Sequence, residues 1–188
     1  MSHRKTVIPY YNKWIETFPT IHALAAADIE AVNQRWKGLG YYPRAARLLA
    51  AAKKVVNEFD GEFPSDAASM EKVLPGVGRY TAGAVCSIVY NEQTPAVDGN
   101  VQRLFSRLLA LHAPLKGHNS KEPLDIIWKA AHKLVDGCSD AGALNQALIE
   151  LGSTVCKPAN ASCSICPFER GCAARQLSQV CYEYSCLA

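Results

Sequence analysis

No apolar run in these 188 residues could cross a bilayer: a rich stretch, Ala82 to Ile88, is broken by Gly83 and Ser87 and falls well short of the roughly 18 residues a spanning helix needs. Twelve Gly and ten Pro are close to average usage, which excludes a collagen-like or low-complexity chain. Strand-like alternation is missing too. Apolar residues recur at helical spacing almost throughout, with no alternating segments joined by hairpin turns, so an all-α fold is expected. No basic-then-apolar leader opens the sequence, because Met1-Ser2-His3-Arg4-Lys5 runs straight into Thr6-Val7-Ile8-Pro9-Tyr10. A reducing compartment is therefore expected, and there cysteines serve metals more often than disulfides. No internal repeat of fixed period is found. The formal charge of +3 suits a polyanionic partner without arguing for one.

What is present is a 49% hydrophobic chain able to bury a core in one domain or two small ones. The periodicity predicts a first helix with Trp14, Ile15 and Phe18 that Pro19 ends, a brief turn over 21–26, and a third helix capped by Asp28 and closed at Gly38-Leu39-Gly40. A longer helix over 42–59 sets Leu48, Leu49, Ala52, Val55 and Val56 on one side. Another starts after Pro64-Ser65-Asp66. Beyond Pro75-Gly76-Val77-Gly78 come a helix over 79–90, with Ala82, Ala84, Val85, Ile88 and Val89 inside, and one after Asp98 with Val101, Leu104, Phe105, Leu108 and Leu109. The polar stretch from Pro114 to Asn119 is the expected domain boundary. Two further helices, around 126–135 and 144–152, precede a cysteine-rich end.

Three constellations carry chemistry. Cys156, Cys163, Cys166 and Cys172 form C-x6-C-x2-C-x5-C in one short loop. Zinc would accept four thiolates, but its structural sites usually pair two C-x2-C knuckles, and only Cys163 and Cys166 are so paired. The compact, unequal spacing favours a [4Fe–4S] cluster. Cys86 reads as core, and Cys138, Cys181 and Cys186 as ordinary thiols.

Leu74-Pro75-Gly76-Val77-Gly78-Arg79 is a glycine-rich turn between helices. It bares backbone N–H groups beside a helix N-terminus, where an anion such as a phosphate is favoured; a plain helix connection would use the same residues. Asp98, about twenty residues on, opens a helix. Capping is the ordinary role of such an aspartate. Following the turn and preceding the four-cysteine loop, it also suits cleavage of an N-glycosidic bond, where a fixed negative charge stabilises the developing oxocarbenium ion.

These features in this order resemble the helix-hairpin-helix DNA glycosylases that carry an iron–sulfur cluster, in particular the MutY-type adenine DNA glycosylases. The resemblance covers about residues 6–176. It rests on Thr6 to Tyr11, Trp36-Lys37-Gly38-Leu39-Gly40-Tyr41-Tyr42, Leu74 to Gly83, Val97 to Val101, and Asn145-Gln146-Ala147 through Leu151-Gly152. It implies a six-helix barrel lobe over 1–115 that holds the hairpin, a cluster lobe over 116–176, and a tail of unknown structure over 177–188. It further implies a monomer without membrane partners that binds double-stranded DNA bearing A:8-oxoguanine or A:G mispairs and flips the adenine out to remove it. Such a protein is intracellular, nuclear or mitochondrial in a eukaryote and cytoplasmic in a bacterium.

By the same resemblance, Asp98 is the catalytic aspartate, Asn100 and Tyr80 support it, and Tyr41 is the aromatic wedge entering the base stack. Leu74, Gly76, Val77, Gly78 and Arg79 grip the strand, and Cys156, Cys163, Cys166 and Cys172 hold the cluster. The endonuclease III branch has a lysine where Tyr80 stands and forms a Schiff base with it; a phenol cannot, so a monofunctional glycosylase is expected. The family's general-acid glutamate would precede Thr6, where this chain reads Met1 to Lys5. Catalysis by the chain as written is expected to be severely impaired.

Overall fold

The computed structural model describes residues 4–112, 115, 117 and 120–185. Much of the expected boundary at Pro114 to Asn119, and both chain ends, lie outside the described residues. Every regular element among the described residues is helical, as expected. Packing divides the chain into two compact units, Met1–Gly78 and Arg79–Ala188.

The first unit holds α1 (Arg4–Thr17), α2 (Ile21–Ala25), α3 (Ile29–Trp36), α4 (Pro43–Glu58) and α5 (Ala67–Val73). Side-chain oxygens of Thr20, Asp28 and Asp66 accept N–H groups of the first turns of α2, α3 and α5, which fixes where each helix starts. Phe18, Leu24, Val32, Ala45, Leu49 and Ala52 form its core. Trp14 closes that core edge-on, 5.0 Å from Phe18 and 5.7 Å from Trp36 between ring centroids. Leu48, expected inside, is 42% exposed and lines an apolar groove with Val7, Tyr11, Trp14 and Leu39. The buried residues of α4 are Ala45, Leu49, Ala51, Ala52 and Val55, and Leu48 is not among them.

The second unit holds α6 (Arg79–Tyr90), α7 (Gly99–Leu108), α8 (Lys121–Val135), α9 (Ala141–Thr154), short 3-10 turns at Cys163–Ile165 and Glu169–Gly171, and α10 (Ala173–Ser185). Val97, Val101, Leu104, Phe105, Ile127, Ala131 and Leu148 form its core, drawn from α7, α8, α9 and the segment before α7. Because α6 and α7 pack on α9, and α7 also on α8, the packing divides inside the glycine turn and not near residue 115. Helix α10 runs through most of the tail that had no expected structure.

The inward face of α6 also differs from expectation. Ala82, Gly83, Cys86 and Ser87 are buried, whereas Ile88 and Val89 are 49% and 64% exposed. The reason is close approach: a Cβ on Gly142 of α9 would lie 2.8 Å from the Ile88 Cα and the Ser87 carbonyl oxygen. Only small side chains fit between backbones that near. Leu109, likewise expected inside, is exposed just past the end of α7.

Candidate active site and cysteine loop

Asp98 sits at the N-terminal cap of α7. Its Oδ1 accepts the backbone N–H groups of Asn100 (2.8 Å) and Val101 (2.9 Å), and its Oδ2 accepts the Asn100 side-chain amide (2.8 Å). The carboxylate is capped, half-buried and fixed in orientation. Asn100 is fixed in turn, because its Oδ1 accepts from Arg103 Nη2 at 3.0 Å. Tyr80, in the first turn of α6, belongs to the same group: burial first, and the Asp98 charge second, push its phenol above the ordinary tyrosine value. The structure thus brings together Asp98, Asn100 and Tyr80.

The backbone leading into Asp98 is held from behind. Asn145 of α9, 1% exposed, accepts the Ala96 N–H and donates to the Thr94 carbonyl, both at 2.9 Å. A buried amide that spends one donor and one acceptor on the same extended segment sets that segment's register. Sequence reading placed Asn145 in a distinguishing stretch but gave it no role. Arg103 was missed as well, although its position three residues after Asn100 sets it on the same side of α7 as Asn100.

Arg103 and Arg107 tie α7 to the cysteine loop. Arg103 donates to the carbonyls of Gly152 and, at 2.9 Å, Cys156. One turn on, Arg107 donates to the carbonyls of Lys157 (2.7 Å) and Pro158 (3.0 Å) and to the Cys156 sulfur (3.4 Å). The Cys172 thiol donates to the Arg107 carbonyl at 3.6 Å. Gly152 lets α9 cross this helix: a Cβ there would stand 2.7 Å from the Asn100 carbonyl oxygen.

All four expected cysteines line one cavity of about 210 Å³, walled by Leu104, Leu108, Val155 and Ala161. Burial foremost, and then the crowding of Cys156, Cys163 and Cys172, push the Cys166 thiol up. Among the described residues, no three His, Cys, Asp or Glu close on a single metal ion. Cys86 is buried core, and the Cys138 thiol donates to the Asp140 carbonyl at 3.4 Å.

The other expected residues lie in the first unit, except Arg79, which opens α6. The Leu74 side chain is 4% exposed and packs inside the turn, where its carbonyl accepts from Val77 N–H. Gly76 has φ +81°, and a Cβ there would lie 2.6 Å from the Arg47 Cβ. A Cβ on Gly78 would meet nothing within 4 Å. Tyr41 stands 63% exposed at φ +52°, a strained backbone for an aromatic residue, after a turn whose Gly40 carbonyl accepts the Trp36 indole N–H at 2.9 Å.

An all-helical chain with a glycine hairpin, a capped carboxylate and a four-thiol loop defines a class. The family model described as the HhH-GPD superfamily of base excision DNA repair proteins matches residues 2–129, and the chain belongs to that family. Among curated proteins it is 47% identical over 171 residues to the adenine DNA glycosylase of Homo sapiens, covering 91% of this chain and 31% of the human protein. To that of Schizosaccharomyces pombe it is 41% identical, covering 94% and 38%. The chain thus spans about a third of the length of these relatives. Among solved structures, a thermostable thymine-DNA glycosylase superposes with TM-score 0.78 at 23% identity, over 91% of this chain and 76% of that one. A trapped endonuclease III–DNA covalent intermediate superposes with TM-score 0.73 at 24% identity, with the same coverage. Both show the helix-hairpin-helix glycosylase fold.

Proposed function

We propose that this chain carries the catalytic carboxylate and the strand-gripping turn of an adenine DNA glycosylase. It binds duplex DNA as a monomer, inside the cell where genomic DNA lies, and hydrolyses the N-glycosidic bond of a flipped adenine opposite 8-oxoguanine or guanine. The observation that carries this reading is the fixing of Asp98 by Asn100, with Asn100 fixed by Arg103. A carboxylate that need not reorganise stabilises positive charge developing on the deoxyribose better than a mobile one. Tyr80 remains a neutral phenol beside it and offers no amine for a Schiff base, so the product is an intact abasic strand.

Gly76, Val77, Gly78 and Arg79 supply the grip on the backbone. Gly78 has no steric neighbour in the fold to account for it, which fits a position kept bare for close approach of a phosphate. Tyr41, exposed and strained, suits a wedge between stacked bases. A six-helix barrel lobe and a cluster lobe would follow from the same reading.

Four soft thiolates around an apolar cavity larger than one ion fit a [4Fe–4S] cluster better than zinc. Cys156, Cys163, Cys166 and Cys172 would hold it. Bound there, it would supply a covalent cross-link among the four cysteines of the loop, whose backbone Arg103 and Arg107 already fix.

Single-turnover incubation with duplexes bearing adenine opposite 8-oxoguanine, guanine or thymine tests the reading. Adenine release, fast or slow, should fall about 10²–10³-fold in Asp98→Asn, the usual loss when one preorganised electrostatic contact is removed. Release unchanged in that variant, or release of a pyrimidine instead, overturns it. Duplex binding with no base release replaces it with a non-catalytic DNA-binding module, and a borohydride-trapped adduct with an endonuclease III-like lyase.

A further inference from the structure

Arginines of the second unit are held in place in different ways. Arg103 and Arg107 spend their donors on loop carbonyls. Arg79, the first residue of α6, instead lies over the ring of Trp128 of α8, its guanidinium carbon 3.9 Å from the ring centroid. No described residue accepts a hydrogen bond from it or pairs with it, and it is exposed. Trp128 is half-buried and packs against the core formed around Val101, Leu104 and Ile127.

A guanidinium on an aromatic face is attracted by the ring yet keeps its N–H edge free, and that edge matches two oxygens of a phosphate. The stack restricts a long side chain before any ligand arrives and leaves its donors open. Its place along the chain is also specific, since Arg79 directly follows Gly78 and directly precedes Tyr80. We propose that Trp128 is a positioning residue for DNA binding, whose ring pre-orders Arg79 to receive a backbone phosphate beside the glycine turn. This rests on the DNA-binding reading above and adds a residue of α8 to it.

A double-mutant cycle on the full chain, read by anisotropy of a labelled duplex over a range of salt concentrations, tests it. Arg79→Gln should weaken binding and flatten the salt dependence by about one ion. Trp128→Leu should weaken binding about three- to tenfold while keeping the wild-type slope, and Trp128→Phe, which restores a smaller face, should recover most of the loss. The double variant Arg79→Gln/Trp128→Leu should bind no more weakly than Arg79→Gln alone, a non-additivity that general loosening of the fold would not give. Should Trp128→Leu fail to fold, Trp128→Phe and its combination with Arg79→Gln complete the cycle. Wild-type affinity in either single variant, or additive losses in the double, overturns the proposal. If the wild-type chain itself fails to bind duplex DNA at low salt, the glycosylase reading falls, and this proposal with it.

Discussion

Replacing Asn145 tests whether the site is held from behind by a single buried amide. Asn145→Leu keeps the approximate volume but removes the acceptor of the Ala96 N–H and the donor to the Thr94 carbonyl. Ala96 is 2% exposed, so its N–H cannot turn to water for a replacement. A buried donor or acceptor left without a partner costs about 1–3 kcal/mol, so the two together should cost about 2–6 kcal/mol. For a chain of this size that is a drop of about 4–24 °C in Tm. Asn145→Asp sharpens the test. Ionised, it still accepts from Ala96 but cannot donate to Thr94 and buries an unpaired charge. Its folded pKa is then raised above the unfolded value, so its stability should approach wild type in acid and be lost as pH rises through the folded pKa. Thermal melts at several pH values measure both variants. A stability of Asn145→Leu within about 0.5 kcal/mol of wild type, the range of a neutral surface change, would refute the reasoning.

The two hairpin glycines should part ways. Gly76→Ala should cost about 1–3 kcal/mol in a melt, because position 76 is left-handed and the added Cβ meets Arg47. Gly78→Ala should leave the melt unchanged within about 0.5 kcal/mol yet weaken duplex binding, since its Cβ obstructs only a ligand. Tyr80 should titrate above the ordinary tyrosine range, because burial and the Asp98 charge both oppose the phenolate. With the folded pKa raised, the stability it contributes is intact below about pH 10 and drains away at higher pH, a loss Tyr80→Phe should lack. Asp98→Asn should bring the 295 nm titration midpoint down without normalising it, as burial remains; an unmoved midpoint would mean that the two groups do not sense each other.

Residues whose role is set by near neighbours were readable in the sequence. Asp28 and Asp66 cap helices through N–H groups three residues on, and Asp98 does so within three residues, so each followed from spacing. The four cysteines were legible because a compact loop can bring only so many arrangements of its thiols together. What escaped depends on partners far along the chain. Arg103 and Arg107 bond to carbonyls about fifty residues away, and Asn145 reaches back a similar distance. Ile88 and Val89 were misassigned for a related reason: nothing local announces that Gly142 will press on the α6 backbone at Ser87 and Ile88, or that the Pro95 carbonyl will stand against Gly83. Tyr41 was singled out by resemblance alone, and its positive φ was not legible in the sequence.

Helix α7 works as a ruler. A carboxylate marks one end and, about 13 Å along at 1.5 Å per residue, a guanidinium that meets Cys156 marks the other. Inserting or deleting one residue between them would swing the far half by about 100° and break its bonds to the loop at once. The ten-residue span should therefore be among the least tolerant of any change in length, while either arginine alone could be traded at smaller loss.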